Sequence, residues 1–259
     1  MNPLVSIITI NFNNAKGLET TLQSVINQSY KNIQFIVVDG NSTDGSKTVI
    51  DTYKEHIDKL TIEPDSGIFN AMNKGIAQAS GDYLHFLNGG DYFNEPTSLE
   101  QFVSNKDFTG DIIYGDYTFK EGQKIYPDQL SPAYFMRSSL PHQSTLFSKK
   151  VFEKMGNYDE SYKIASDRAF FLNCFLSGQF TFTHIQFPLV YFDLEGLSNN
   201  PEAASKKKEE DERLFKEAYG QYYPDIKRLW QLEKELAATK RDTIKGLVSR
   251  IKYRLIKRK

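Results

Sequence analysis

The sequence predicts an α/β fold, a Rossmann-like sheet flanked by helices and followed by a charged helical tail. Three observations carry this. In roughly the first ninety residues short apolar runs alternate with amphipathic stretches of about a dozen residues, the rhythm of βαβ units. Each apolar run ends in a cluster of Asn, Asp, Gly or Ser. No Gly/Ser- or Pro-rich linker and no internal repeat divides the first 200 residues.

Element by element, Val5 to Ile10 reads as a buried strand. Ala15 to Gln28 reads as a helix, with Leu18, Leu22, Val25 and Ile26 at helical spacing. Ile33 to Val38 is a second strand, and Asp44 is placed to cap a helix reaching His56. Leu60 to Ile62 is a third strand, Ile68 to Ala79 a helix and Tyr83 to Leu87 a fourth strand. After Asp91 the rhythm loosens. Short strands are expected at Asp111–Tyr114, Asp116–Phe119 and Lys124–Tyr126, and helices at Ser148–Met155 and Asp167–Ser177. Phe180–Phe192 is strand-rich but interrupted by Pro188. This mixed second half is expected to join the same sheet. The domain division is a catalytic unit over 1–200, with halves of about 1–92 and 93–200, and a helical tail over 201–259.

Composition narrows the function classes. The chain has 32 Lys+Arg against 33 Asp+Glu, a net charge of -1, which argues against nucleic acid as a partner. One cysteine, Cys174, excludes an intramolecular disulfide framework and a Cys-rich zinc site. No signal-peptide pattern and no long apolar span is visible, so a cytoplasmic location is expected. Aromatics reach 14%, suited to a core or groove rich in flat surfaces. Charge is uneven: residues 240–259 hold nine basic side chains and one acid, a net +8, so the remainder carries -9. Ile244, Leu247, Val248, Ile251 and Leu255 recur there at three- and four-residue steps. A basic amphipathic helix of this kind suits an anionic membrane surface, which would make the protein peripheral to the membrane, or packing against the acidic body or a second subunit. Trp230, with Leu229 and Leu232, could anchor the preceding helix to the body.

In open α/β sheets ligands bind beyond the carboxyl ends of the strands. Four such tips are polar here: Asn11–Asn14, Asp39–Ser46, Glu63–Gly67 and Asn88–Asp91. Neither a Gly-x-Gly-x-x-Gly nor a Walker loop follows the first strand, so a dinucleotide fingerprint is missing. An acid at the end of strand two can accept from a base N–H or a ribose hydroxyl. Asp91 could hold a divalent ion together with a substrate diphosphate. His56, His85, His184 and Cys174 read as structural.

Val37-Val38-Asp39-Gly40-Asn41-Ser42-Thr43-Asp44-Gly45-Ser46 resembles the hallmark turn of the family 2 glycosyltransferases, as does the opening Val5 to Asn13. Glu63-Pro64-Asp65-Ser66-Gly67-Ile68-Phe69-Asn70-Ala71-Met72-Asn73-Lys74-Gly75 resembles the corresponding segment of bacterial members that build surface polysaccharides, the colanic-acid type being the nearest likeness. The resemblance covers about residues 3–200. It implies a GT-A fold and inverting transfer from a nucleoside diphosphate sugar, with UDP favoured, to a glycan or lipid-linked acceptor. It implies base reading by Asp39, with Thr9, Asn11 and Asn13 beneath base and ribose. Asp65 and Lys74 would line the donor site, as would Asn88, Gly89 and Gly90. The family's Asp-x-Asp metal motif reads Asn88-Gly89-Gly90-Asp91 here, leaving Asp91 to hold Mg²⁺ or Mn²⁺. The match of Ala165-Ser166-Asp167-Arg168 makes Asp167 the general base. His142, Gln143, Arg168 and Ser198 are implied near the acceptor or diphosphate, although Arg168 on its own reads as solvated. Two other classes fit the sequence less well. A sugar nucleotidyltransferase needs a basic glycine-rich loop near the N-terminus, and Asn11–Gly17 holds one Lys and no Arg. A catalytically degenerate binding subunit has only the missing first metal carboxylate in its favour.

Overall fold

The computed structural model describes residues 2–192 and 203–256. A nine-stranded mixed sheet forms its centre. Strands β1 (Val5–Asn11), β2 (Ile33–Asp39), β3 (Lys59–Ile62) and β4 (Tyr83–Phe86) are mutually parallel in the order β3-β2-β1-β4. They are joined by α1 (Ala15–Ile26), α2 (Ser46–Tyr53) and α3 (Ile68–Gln78). Beyond β4 the sheet becomes mixed. β5 (Tyr92–Phe93) and α4 (Ser98–Val103) lead to β6 (Ile112–Phe119), which turns into β7 (Gly122–Lys124). Then come α5 (Pro132–Arg137), β8 (Thr145–Ser148), α6 (Lys149–Met155), α7 (Ser166–Ser177) and β9 (Phe182–Tyr191). β8 lies between β4 and β6 and runs against the first four strands, and β6 and β9 run with them. α8 (Ala203–Tyr219) and α9 (Tyr223–Ile256) complete the chain.

Every residue of β1 is buried, as a central strand covered on both faces requires. Its alternation sorts the core into two layers. Val5 and Ile7 pack with Leu18, Leu22 and Ile50 of α1 and α2. Ile8 and Ile10 pack on the opposite face with Met72 of α3 and Phe170 and Phe171 of α7. Much of the aromatic excess lies in that second layer, where Phe86, Phe147, Phe152, Tyr158 and Phe170 form edge-to-face and stacked ring pairs. Such pairs add about 0.5–1.5 kcal/mol each beyond area burial.

Several expected elements differ. Asp111–Tyr114 and Asp116–Phe119 are one strand, with a register irregularity at Asp116 opposite Pro188. The strand expected at Lys124–Tyr126 lies two residues earlier, where Gly122 (φ 155) turns the hairpin. Asp44 does not occupy the cap of α2. Left-handed Gly45 does, while Asp44 accepts from the Ser46 N–H and hydroxyl. β9 runs through Pro188 instead of breaking there. The core also continues past residue 200: Leu214, Phe215, Tyr219 and Tyr223 are buried in the second layer.

Candidate active site

The register of β1 and β2 builds the first part of the site. Asn11 and Asp39 are paired positions on parallel strands and point to the same face. Asn11 Nδ2 therefore donates to Asp39 Oδ2 at 2.8 Å and to Ser46 Oγ at 3.0 Å. Asp39 is fully buried and also accepts from the Ser42 N–H (2.7 Å) and hydroxyl (2.8 Å). These bonds fold the 40–46 loop against the strand tips. Asn41 and Asn13 take left-handed φ angles of 64° and 49°, and the Asn13 side chain accepts from the Thr43 N–H. Asn has the short polar side chain that tolerates this region.

Between these tips lies a bare stretch of backbone. A Cβ added to Gly40 would stand 2.9 Å from both Asp65 Oδ2 and the Phe12 ring. Phe12 is 67% exposed, an unusual position for a large apolar side chain beside a polar loop. Lys74 of α3 closes the outer side, reaching Asp65 at 2.6 Å, Glu63 at 2.9 Å and the Pro64 carbonyl at 2.9 Å. Partial burial works against the Lys74 ammonium, but the two carboxylates outweigh it and raise its pKa. The result is a close apposition of ring, glycine and carboxylate at the tips of β1, β2 and β3.

The second part is delivered by β8. Because β8 is antiparallel to β4, its N-terminal flank arrives at the carboxyl end of β4. That places the His142–Ser144 turn beside Asn88. His85 of β4 donates from Nε2 to the Gln143 carbonyl at 2.9 Å, and the Ser144 hydroxyl donates to the Asp116 carbonyl. His142 bridges the cleft: its Nδ1 lies 3.3 Å from Asp167 Oδ2, and its Nε2 lies 3.2 Å from Asn88 Nδ2. A neutral imidazole protonated on Nδ1 satisfies both contacts, donating to the carboxylate and accepting from the amide. Asp167 stands in the first turn of α7, where the helix dipole favours a carboxylate.

The 88–91 loop is held from α1. The Thr21 hydroxyl donates to the Asp91 carbonyl at 2.7 Å and accepts from the Gly90 N–H at 2.9 Å. Gly90 has φ 115°, and an added Cβ at Gly89 would meet Asn11 Oδ1 at 2.9 Å. Asn14 caps α1 and also donates to the Gly89 carbonyl.

The expected site residues thus gather along the carboxyl edge of the sheet, with four departures. Asp39, expected to read the base, is fully buried with both oxygens engaged by Asn11 and Ser42. Thr9 is fully buried and its hydroxyl donates to the Leu87 carbonyl, so it ties β1 to the β4 tip from inside the sheet. Arg168 is neither solvated nor directed to the cleft. Its guanidinium is buried, pairs with Asp211 at 2.8 Å and donates twice to the Phe135 carbonyl. Ser198, with the expected closing segment Glu195–Ser198, lies outside the described residues. Sequence reasoning missed Thr21, Ser42 and Ser46, which organise the loops through single hydroxyls, and it missed Phe12 as an exposed ring. A large aromatic inside a polar strand tip was the available signal for Phe12.

Residues 6–171 match the profile of the family described as Glycosyl transferase family 2. The chain belongs to that family. This family 2 glycosyltransferase is 33% identical over 211 residues to an uncharacterized glycosyltransferase of Mycobacterium tuberculosis H37Rv, covering 78% of this chain and 80% of the relative. It is 26% identical over 209 residues to a PGL/p-HBAD biosynthesis glycosyltransferase of the same strain, covering 76% and 80%. The fold is also that of two solved glycosyltransferase structures. Staphylococcus aureus TarS 1–349 superposes with a TM-score of 0.64 at 16% identity, over 82% of this chain and 65% of TarS 1–349. The chain spans 36% of a longer TarS chain. The Pyrobaculum calidifontis mannosyltransferase PcManGT, solved with GDP-Man and Mn²⁺, superposes with a TM-score of 0.63 at 15% identity, over 87% and 68%.

Among the described residues no three His, Cys, Asp or Glu side chains converge as a self-sufficient metal site. The 88–91 loop instead offers hard oxygen donors: the Asp91 carboxylate and Asn88 Oδ1, a buried carbonyl oxygen with no hydrogen-bond partner among the described residues. That set fits Mg²⁺ or Mn²⁺ only with substrate phosphates completing the shell.

Proposed function

We propose that the enzyme is an inverting transferase that moves a sugar from a nucleoside diphosphate donor, UDP favoured, to a glycan or lipid-linked acceptor in bacterial surface-polysaccharide synthesis. The observation that carries this reading is one cleft edge bearing two different chemistries. The exposed Phe12 ring beside Gly40 and the Asp65 carboxylate offers a flat apolar face and an acceptor, suited to a heterocycle with N–H donors. Across the edge, the Asn88–His142–Asp167 chain presents a held carboxylate. Asp39 would shape the base site through Ser42 and Gly40, Asn11 and Asn13 would line it, and Lys74 would orient Asp65.

In the transfer, Asp167 accepts the acceptor hydroxyl proton as that oxygen attacks the anomeric carbon and the bond to the diphosphate breaks on the opposite face. His142 keeps the carboxylate oriented. Gln143 shapes the acceptor side through its carbonyl bond to His85. Asp91, with Asn88, would hold a divalent ion, which supplies positive charge against the leaving diphosphate. Gly89 and Gly90 let the loop approach phosphates closely. The +8 segment over 240–259 supports docking to an anionic cytoplasmic membrane face. Among the described residues no helix is long and apolar enough to cross a membrane.

The test is a donor screen. UDP-, GDP- and dTDP-sugars are added with and without Mn²⁺, while melting and slow donor hydrolysis are recorded. At a hundredfold excess over Kd, binding adds about 2.7 kcal/mol, a rise of roughly 5–10 °C for a domain of this size. The expected result is a Mn²⁺-dependent shift with UDP-sugar. A shift with GDP- or dTDP-sugar alone would overturn the UDP assignment, and no shift with any donor would overturn the donor-site reading.

A further inference from the structure

We infer that Glu210 and Asp211 of α8 are positioning residues for Asp167, so that this helix is part of the catalytic apparatus. The inference rests on the reading of Asp167 as the general base. Glu210 is 6% exposed, and its carboxylate accepts three consecutive backbone N–H groups: Lys163 at 2.8 Å, Ile164 at 2.9 Å and Ala165 at 3.0 Å. Those donors end two residues before Asp167, at the entry to α7. One residue after Asp167, Arg168 is held by Asp211 at 2.8 Å, by the Phe135 carbonyl and by the Phe215 ring 5.0 Å away. Adjacent residues of α8 therefore grip the backbone before Asp167 and the side chain after it.

This arrangement exceeds what holding the helix requires. Leu214, Phe215 and Tyr219 already bury one face of α8 in the core. A carboxylate at 210 removed from water is tolerable only because its acceptor sites are filled. Three charge-assisted hydrogen bonds converging on one group fix the segment more tightly than neutral contacts would. They leave Asp167 little freedom to move away from His142. Arg168, bound on the α8 side, is kept from reaching across its neighbour's carboxylate.

The test is a double-mutant cycle on the full chain with donor, Mn²⁺ and an acceptor extract. Glu210→Ala is expected to lower kcat by about ten- to a hundredfold, the range for a displaced catalytic group, with the donor KM unchanged. Glu210→Gln, which keeps one acceptor oxygen and the volume, should fall between Ala and wild type. In an Asp167→Asn background, Glu210→Ala should cause no further loss of rate, because groups acting as a unit are non-additive. Losses that multiply in the double variant would mean a general structural role and would overturn the inference. So would an unchanged kcat in both Glu210 variants while Asp167→Asn is inactive. If Glu210→Ala fails to fold, Glu210→Gln carries the same cycle. Wild-type transfer by Asp167→Asn would instead remove the base assignment itself.

Discussion

Gly75 shows how a single missing side chain sets a distance between elements. It lies within α3, where Ala would ordinarily be favoured by about 1 kcal/mol. An added Cβ, however, would stand 2.3 Å from Ile8 Cγ2, and Ile8 is a stiff β-branched side chain with no exposed surface. The overpacking term of roughly 1–3 kcal/mol therefore exceeds the propensity gain. Gly75→Ala is expected to lower the unfolding free energy by up to about 2 kcal/mol, read from urea melts. Equal or greater stability would show that α3 can lift off β1 at little cost. Since α3 also carries Lys74, a displaced helix should weaken donor binding as well.

At the scale of elements, two histidines tie strands to loops with opposite pH signatures. His85 on β4 is fully buried, and burial is the main force that lowers its pKa, to about 3, despite the bond to Gln143. Unfolded, the same side chain titrates near 6.5. The unfolded state then binds the extra proton, and stability falls as pH drops from about 6.5 towards 3, by about 1.4 kcal/mol per pH unit once the unfolded form is charged. His184 on β9 behaves in reverse. Burial opposes its charge, but Asp116 (3.0 Å) and Asp128 (2.6 Å) outweigh that and raise its pKa. Its contribution is complete below the unfolded value and fades as pH rises through the raised folded one. A His85→Gln variant, which keeps a donor for the Gln143 carbonyl, should therefore show a flatter stability profile between pH 6 and 4. Denaturant unfolding in stepped buffers measures this, and parallel profiles for the two proteins would refute it.

Over the whole molecule, α8 and the start of α9 belong to the body, and α9 is mostly exposed over residues 228–239. Leu229, Leu232 and Leu236 are 46%, 44% and 55% exposed, so the first two do not anchor the helix as the sequence suggested. Ile226 packs against the core, and Trp230 is half-buried beneath Lys234. Removing residues 240–259 is expected to leave melting and donor affinity unchanged. The same truncation should abolish co-sedimentation with vesicles of mixed neutral and anionic lipid, and added salt should weaken binding of the full chain. Equal binding of both proteins to the vesicles would eliminate the basic segment as the docking surface. A truncation at residue 202 should fail to fold, because it strips Glu217 from Tyr162 and both Asp211 and Phe215 from Arg168.

Local pattern by itself determined the first four strands and their helices. Period and turn chemistry are written within each segment, and a parallel βαβ series has few other ways to bury them. It also marked Asp39, Asp65 and Asn88, because polar residues at strand tips stand out against apolar runs, whereas Asp167 was reached only through the resemblance carried by residues 165–168. Only the tertiary structure decided what these residues do to one another. β8 is four residues with no period to read, yet its antiparallel insertion brings His142 between Asn88 and Asp167. Arg168 reads as a solvated helix residue until Asp211, 43 positions later, packs against it. Glu210 sits in a run of charges that reads as a solvated face. The physical reason is common to all three. A charge or hydrogen bond acquires its meaning from a partner distant in the chain, and local periodicity carries no record of that partner.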